Sequence, residues 1–436
     1  MNFLDVFGKR MMIFDGAMGS MLQKAELPSD CPAELACLLA PEKVKAVHKA
    51  YIDAGCDVIT ANTFGANSVK LKTEEYTVQQ AVKASVSCAR ECADASGREV
   101  FVAMDIGPTG RFMYPIGDLR FDTAYKAFGE AAAAGERAGA HLILIETMTD
   151  TYEMKAAVLA AKEYSSLPVI ASFSLDKSGR LLTGADIKTA YALLKALGVD
   201  GVSLNCGFGP EFAIRFAKEI VDFTNMRVLL MPNAGLPEMK NGAASYSLDA
   251  HSFAEQMKAA AGCGLAAVGG CCGTTPAHME ALVKTFGKEP LSAVFEGAEL
   301  FVTSGSECVE YVPGKTEIGA LLDVSADEKL AETLRAGSLS YASDAIFDNQ
   351  PANAQIFSVC AAADGVDEVD MLPRLVSEIQ TYIHTPLFIS ALEPSALEAA
   401  LKLYNGVPLA KCICKDAGKQ TQADMLIKKF GAVKKV

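Results

Sequence analysis

Gly269-Gly270-Cys271-Cys272-Gly273-Thr274 sets two adjacent cysteines in a glycine frame, and Asn205-Cys206-Gly207 supplies a third thiol upstream. Zinc takes thiolates at tetrahedral corners. Structural sites fill all four corners with protein, whereas reactive sites use three protein ligands and keep one position open. Three cysteines from two segments make the second kind. Neighbouring side chains of a regular strand point to opposite faces, so Cys271 and Cys272 can share an ion only if the backbone bends there. The flanking Gly269, Gly270 and Gly273 allow that bend.

Charge then selects the chemistry. Three thiolates on Zn²⁺ leave one net negative charge. Such a centre polarises bound water weakly beside one built from neutral histidines, but it still deprotonates a coordinating thiol. A fourth, incoming thiol would be held as a nucleophilic thiolate, and holding it beside its reaction partner removes much of the entropic cost of the encounter. A closed structural zinc and a set of ordinary core cysteines are the competing readings. His278 is the best-placed candidate for a fourth ligand, with a surface or capping role on the following helix as its simpler account.

These residues need a scaffold. Short runs, apolar throughout, recur at Met12–Ala17, Val58–Phe64, Phe101–Pro108, Leu142–Met148, Val169–Leu175, Gly201–Gly207, Val228–Gly235 and Ala266–Gly273. Continuous apolar character is the mark of parallel strands buried on both faces. Helical patterns lie between them, at Pro41–Ala54, Thr77–Ala95, Thr123–Ala138, Tyr152–Glu163, Ala185–Leu197, Pro210–Phe223 and Ala250–Ala261. The alternation predicts an α/β chain led by a (β/α)8 TIM barrel. A doubly wound sheet is the alternative, but no glycine-rich phosphate loop is evident. Several runs end in polar or small residues, as in Asp15-Gly16-Ala17, Asn62-Thr63, Asp105-Ile106-Gly107, Glu146-Thr147 and Pro232-Asn233-Ala234. That end of the strands is where such barrels place their active sites.

The pattern breaks around Glu289–Gly297. The expected domains are therefore a barrel over 1–292 and a smaller α/β domain over 293–436. Strands are expected in the latter at Gly319–Ser325, Ala342–Phe347, Gln355–Ala363, Pro386–Ser390 and Pro408–Cys414, with helices at Asp370–Tyr382 and Ser395–Tyr404.

Composition narrows the class. The 436 residues carry a formal net charge of −13, half are hydrophobic and 21% are charged. An acidic chain of this kind repels nucleic acid and anionic membrane surfaces. No window approaches a membrane span, and the start lacks the layout of a signal peptide, so a cytoplasmic location is expected. Thirteen cysteines, an odd number, fit reduced thiols better than disulfides. Most read as core residues, among them Cys88 and Cys92. Cys412 and Cys414 share one strand face with no second ligand pair nearby.

The first 290 residues resemble the homocysteine S-methyltransferase family. Matching segments are Phe14–Gly19, Thr60–Asn67, Asp105–Gly110, Ile145–Thr147, Asn205–Gly207, Met231–Gly235 and Gly269–Thr274, in the expected order. The resemblance implies that Cys206, Cys271 and Cys272 hold Zn²⁺ and that homocysteine sulfur is the incoming ligand. It implies that Asp15 and Glu146 hold the homocysteine ammonium and that N–H groups at Gly16 and Ala17 hold its carboxylate. Two inward carboxylates are costly unless a cation joins them, which agrees. Asn233 is a further candidate, for the open zinc corner when substrate is absent, against a simpler turn-forming role.

Within that family the run Ile145–Thr151 is similar to the cobalamin-dependent methionine synthase branch. Thr147 stands where the betaine-using branch has an aromatic residue. A methylated corrinoid (methylcobalamin) on a separate protein is therefore the expected methyl donor. A small donor such as betaine or S-methylmethionine is the alternative, to which Phe112 and Tyr114 could contribute a cage. A third reading is a non-catalytic zinc- or thiol-binding subunit of a methyltransferase complex. The C-terminal part faintly resembles half of a pterin-binding barrel, at Asp364–Asp367 and Pro386–Pro394. It lacks the aspartate expected within Ile389-Ser390, and no Asp-x-His-x-x-Gly cobalamin signature occurs.

Overall fold

The protein's structure, a computed structural model, describes residues 2–25, 27, 31–71, 73–240, 243–287, 291, 299–348 and 350–435, with backbone alone at 238–240 and 243–244. It divides into two compact units, 1–182 with 199–297 and 183–198 with 298–436. The boundary expected at 292/293 lies outside the described residues.

The first unit is a parallel barrel. Its strands are β1 (Met12–Ile13), β2 (Val58–Thr60), β3 (Phe101–Ile106), β4 (Leu142–Met148), β5 (Val169–Phe173), β6 (Gly201–Asn205) and β7 (Val228–Met231), then, after an antiparallel hairpin of β8 (Pro237–Lys240) and β9 (Ala243–Tyr246), β10 (Ala267–Val268). The sheet order is β1-β10-β7-β6-β5-β4-β3-β2. A parallel bridge between Phe14 and Val58 joins β1 to β2 and closes the ring. Each of the eight apolar runs contains one barrel strand, and the chain is a (β/α)8 TIM barrel with a further α/β domain. The strands are short, from two residues in β1 and β10 to seven in β4. Beyond their ends the backbone builds the rim.

Packing accounts for the apolar runs. Side chains of β1, β3, β4 and β7, with Phe3 and Phe7 from the N-terminus, form one buried cluster. Helices 41–53, 78–95, 121–137, 151–164, 210–224, 250–257 and 276–286 follow the other strands on the outside, and the helix after β5, Ile187–Ala196, groups with the second unit. Caps set where the helices start. Thr77 and Gln80 form a reciprocal capping box, and the carboxylates of Asp150 and Asp249 accept from the N–H groups of their first turns. Such caps are each worth about 1 kcal/mol.

In the second unit β11 (Phe301–Thr303) and β12 (Cys308–Glu310) form a hairpin. β13 (Ile318–Asp323), β14 (Ile356–Cys360), β15 (Leu387–Ala391), β16 (Leu409–Cys412) and β17 (Val433–Lys434) form a parallel sheet in that sequential order. Sequential order with right-handed crossovers puts every connecting helix on one face. One expectation fails: Ala342–Phe347 is no strand but lies in a helix, Ser340–Asp348. Its buried residues Ala342, Ala345 and Ile346 recur at helical spacing while Phe347 is exposed. A short apolar run does not distinguish the two states by itself. Among the described residues no helix is long and apolar enough to cross a membrane.

Candidate active site

The two cysteine segments meet at one end of the barrel. Cys206 follows β6 directly and adopts φ +62°, with Gly207 at φ +76° after it. This left-handed pair is costly for a residue with a side chain, and it turns the thiol away from the strand's course. The Cys271-Cys272 step follows β10. The Cys271 N–H donates to the Pro232 carbonyl (2.9 Å) and the Cys272 carbonyl accepts from the Ala234 N–H (3.0 Å). The sulfur ligand atoms of Cys206, Cys271 and Cys272 all lie within 4.8 Å of one another, the sole such group among the described residues. Sγ of Cys206 and Sγ of Cys272 are 3.9 Å apart.

Two sulfurs about 2.3 Å from a tetrahedral zinc lie about 3.8 Å apart, so the donor set fits that ion. The protonation pattern gives a second reason. Hydrogen bonds from Cys206 and Cys271, with one from Tyr246, pull the Cys272 thiol down to about 3. Cys206 gains from Cys271, but its hydrogen bond to Cys272 and its burial carry it up to about 11. Cys271 is pushed well above the usual thiol range by its hydrogen bonds to the other two and by burial. Three thiolates at this spacing require a cation.

A cavity of about 270 Å³ opens beside the sulfurs. Its wall includes Asp15, Asp105 and Glu146, three carboxyl groups on β1, β3 and β4 or just beyond. Thr60 donates its N–H and its hydroxyl to the two oxygens of Asp15, each at 2.8 Å. Burial nevertheless lifts Asp15 to about 7, against the opposing Thr60 bonds and with help from Glu146. Burial also lifts Glu146 to about 7, a hydrogen bond with Asp105 opposing it. Asp105 is raised well above the carboxylate range by burial and by Glu146, and its Oδ1 has no hydrogen-bond partner among the described residues. A cavity lined this way accepts a cation with several donors, such as a primary ammonium.

Glu146 reaches the cavity through a β-bulge. Between the paired positions Ile145–Ala171 and Met148–Phe173, β4 has two residues where β5 has one. Thr147 takes φ +60° there. Bulges of this sort re-aim a side chain beside a site.

The other expected residues fall as follows. Gly16 and Ala17 line the cavity. A Cβ on Gly16 would stand 2.5 Å from Thr274 Oγ1 and 2.9 Å from the Tyr51 hydroxyl. The Ala17 N–H donates to Thr274 Oγ1 at 3.2 Å, so a carboxylate at that amide would displace this hydroxyl. Asn233 is buried and is not among the cavity-lining residues. Its N–H donates to the Phe208 carbonyl and its Oδ1 has no partner among the described residues. His278 caps its helix through Nδ1 and Thr275, while Nε2 faces the Leu248 carbonyl at 3.1 Å. It is not part of the sulfur cluster. Phe112 and Tyr114 are exposed and do not line the cavity, and the Arg120 guanidinium covers the Tyr114 ring at 3.9 Å. The strand expected to carry both Cys412 and Cys414 ends at Cys412, and their sulfurs lie 3.2 Å apart.

Sequence reasoning did not single out Thr60, Asp105 or Asn205 as site residues. All three stand in segments that end barrel strands, and that position was the available signal.

The homocysteine S-methyltransferase family model matches residues 12–286. Among curated proteins the chain is 30% identical over 427 residues to methionine synthase from Mycobacterium tuberculosis (strain ATCC 25618 / H37Rv), covering 93% of this chain and 36% of that protein. It is 27% identical over 438 residues to methionine synthase from Mycobacterium leprae (strain TN), with the same coverage. The chain thus spans about a third of the length of these relatives. Solved structures of the homocysteine methyltransferase MmuM from Escherichia coli share the fold. The metallated form gives a TM-score of 0.53 at 21% identity over 62% of this chain and 95% of that one. The oxidised form gives 0.55 at 22% identity over 65% and 97%. With a sulfur triad at the barrel mouth and a family match across the barrel, the chain belongs to the homocysteine S-methyltransferase family.

Proposed function

We propose that this chain methylates homocysteine to methionine, with Cys206, Cys271 and Cys272 holding Zn²⁺ and a methylated corrinoid on a separate protein as donor. The observation that carries this reading is a three-sulfur cluster in the wall of a cavity that the carboxyl groups of Asp15, Asp105 and Glu146 also line. Zinc bound there would keep a coordinating substrate thiol deprotonated at neutral pH.

The chain's own residues bind and orient. Asp15, fixed by Thr60, and Glu146 receive the substrate ammonium, which offsets the cost of burying them. Asp105 lies against Glu146 and adds a third acceptor. Gly16 and Ala17 face the substrate carboxylate, where a side chain on Gly16 would collide with Thr274 and Tyr51. The cavity wall keeps the thiolate beside its methyl donor and away from bulk water.

Two observations favour a corrinoid over a quaternary ammonium donor. Identity to methionine synthases extends over 93% of the chain. Phe64 is the sole aromatic residue among the described lining residues, too few for an aromatic cage. The sequential five-stranded sheet is in keeping with a degenerate half of a pterin-binding-like barrel, and we assign no step of the reaction to it. A cytoplasmic setting would keep the thiols reduced. No nucleic acid or membrane partner is proposed.

Methionine formation from homocysteine and methylcobalamin tests the reading. The purified chain should turn over, and Cys206→Ala should lose at least about a hundredfold. Full activity in the alanine variant would refute it. Turnover with betaine or S-methylmethionine and no corrinoid would transfer the assignment to a small-donor enzyme.

A further inference from the structure

The Asn205 carboxamide, fully enclosed at the end of β6, reaches across β5 to β4. Its Oδ1 accepts from Ser172 Oγ on β5 (2.7 Å) and from the Thr147 N–H on β4 (3.0 Å). Its Nδ2 donates to Glu146 Oε2 and to Thr147 Oγ1, both at 2.8 Å, and faces Cys271 Sγ at 3.8 Å. One side chain thus touches a carboxylate assigned to the substrate ammonium and a sulfur assigned to the metal. It also holds both polar groups of Thr147 in the bulge that carries Glu146.

We infer that Asn205 is a positioning residue that sets the distance between the ammonium subsite and the thiolate site, and so selects the length of the thiol amino acid that fits. This rests on the homocysteine reading above. An ammonium on Glu146 and a sulfur beside Cys271 must be bridged by one substrate chain, and cysteine is one methylene shorter than homocysteine. One methylene is worth about 10- to 200-fold in discrimination, and in this site that discrimination depends on the spacing of its two ends. Glu146 sits in a bulge with a left-handed neighbour, a conformation that persists only when its surroundings over-determine it. The five contacts of Asn205 supply that constraint. Without them the carboxylate can shift, and the two ends of the site lose their fixed spacing.

The test is calorimetric titration of homocysteine and of cysteine into the zinc-loaded full chain, with zinc content measured in each sample. Asn205→Ala removes the whole bridge. Ser172→Ala removes a single hydrogen bond to Oδ1, leaves the sulfurs and carboxyls in place, and serves if the first variant does not fold. The expected result is a homocysteine-to-cysteine affinity ratio that narrows by about threefold in Ser172→Ala, which loses one neutral hydrogen bond, and by about tenfold in Asn205→Ala, which loses the bond to the Glu146 carboxylate. A general structural defect would weaken both ligands alike. An unchanged ratio in folded, zinc-loaded variants overturns the inference. Absence of homocysteine binding to the unaltered, zinc-loaded chain overturns the functional reading itself, which separates the two failures.

Discussion

Cys206 and Cys272 stand 66 positions apart in the chain, yet their sulfurs lie 3.9 Å apart. Each belongs to a turn that departs from its strand, Cys206 through a left-handed backbone and Cys272 through hydrogen bonds to the loop after β7. The expected consequence is one zinc per chain. Serine in place of Cys206 or Cys272 exchanges a thiolate for a hydroxyl that stays protonated at neutral pH, so zinc retained after dialysis against a weak chelator should fall below about a fifth of the unaltered value. Asp15→Asn lies in the same cavity but gives the metal no ligand and should retain zinc in full. Elemental analysis of the three variants and the unaltered chain decides this. Equal zinc in the serine variants would remove the metal assignment.

Thr60 is the residue that orients Asp15, through two bonds of 2.8 Å. Thr60→Val keeps the N–H and the shape but removes the hydroxyl. A hydrogen bond to a charged group is worth about 1.5–3 kcal/mol. Homocysteine affinity should therefore fall about tenfold or more, with zinc content and the affinity for a simple thiol such as mercaptoethanol unchanged. If Asp15 takes no part in binding the ammonium, the homocysteine affinity will stay where it was.

Gly273 carries a third prediction. Its φ is +82°, and a Cβ there would stand 2.2 Å from the Tyr246 ring. Gly273→Ala combines a left-handed alanine with an overlap against the β8–β9 hairpin, together about 2–4 kcal/mol. Thermal melts should show the loss. A second substitution, Tyr246→Ala, makes room for the methyl group and should recover part of it. Non-additivity of the two changes is the signature of their contact.

Much of this architecture was legible in the residues because parallel strands covered on both faces must be apolar along their whole length. The polar residues that end such strands therefore stand out, and Asp15, Glu146, Cys206, Cys271 and Cys272 all occupy such ends. What the sequence could not convey was partnership. Asn205 looks like one more rim residue until the barrel closes and sets it against Glu146, Thr147, Ser172 and Cys271 on other segments. Asp105 looks the same until its carboxyl meets that of Glu146. Ala342–Phe347 misled for a local reason. Its small apolar residues suit either state, and the helix buries Ala342, Ala345 and Ile346 on one side.

His48 gives a pH dependence whose sign follows from its surroundings. It is fully buried in helix 41–53, neither ring nitrogen has a hydrogen-bond partner among the described residues, and burial lowers it from 6.5 to about 4. Below pH 6.5 the unfolded chain takes up a proton that the folded chain refuses. The contribution of His48 to stability is thus present above pH 6.5 and is lost as pH falls toward 4, by about 3 kcal/mol in all. Asp15 and Glu146, raised to about 7, act in the opposite sense, since the unfolded chain releases their protons first as pH rises from about 4 to 7. The total curve therefore mixes both, and a difference isolates the histidine. His48→Leu should lose less stability than the unaltered chain between pH 7 and pH 5, by roughly 2 kcal/mol. Urea midpoints at the two pH values measure it. Parallel shifts in both proteins would mean that the buried ring takes up its proton as readily in the folded chain as in water.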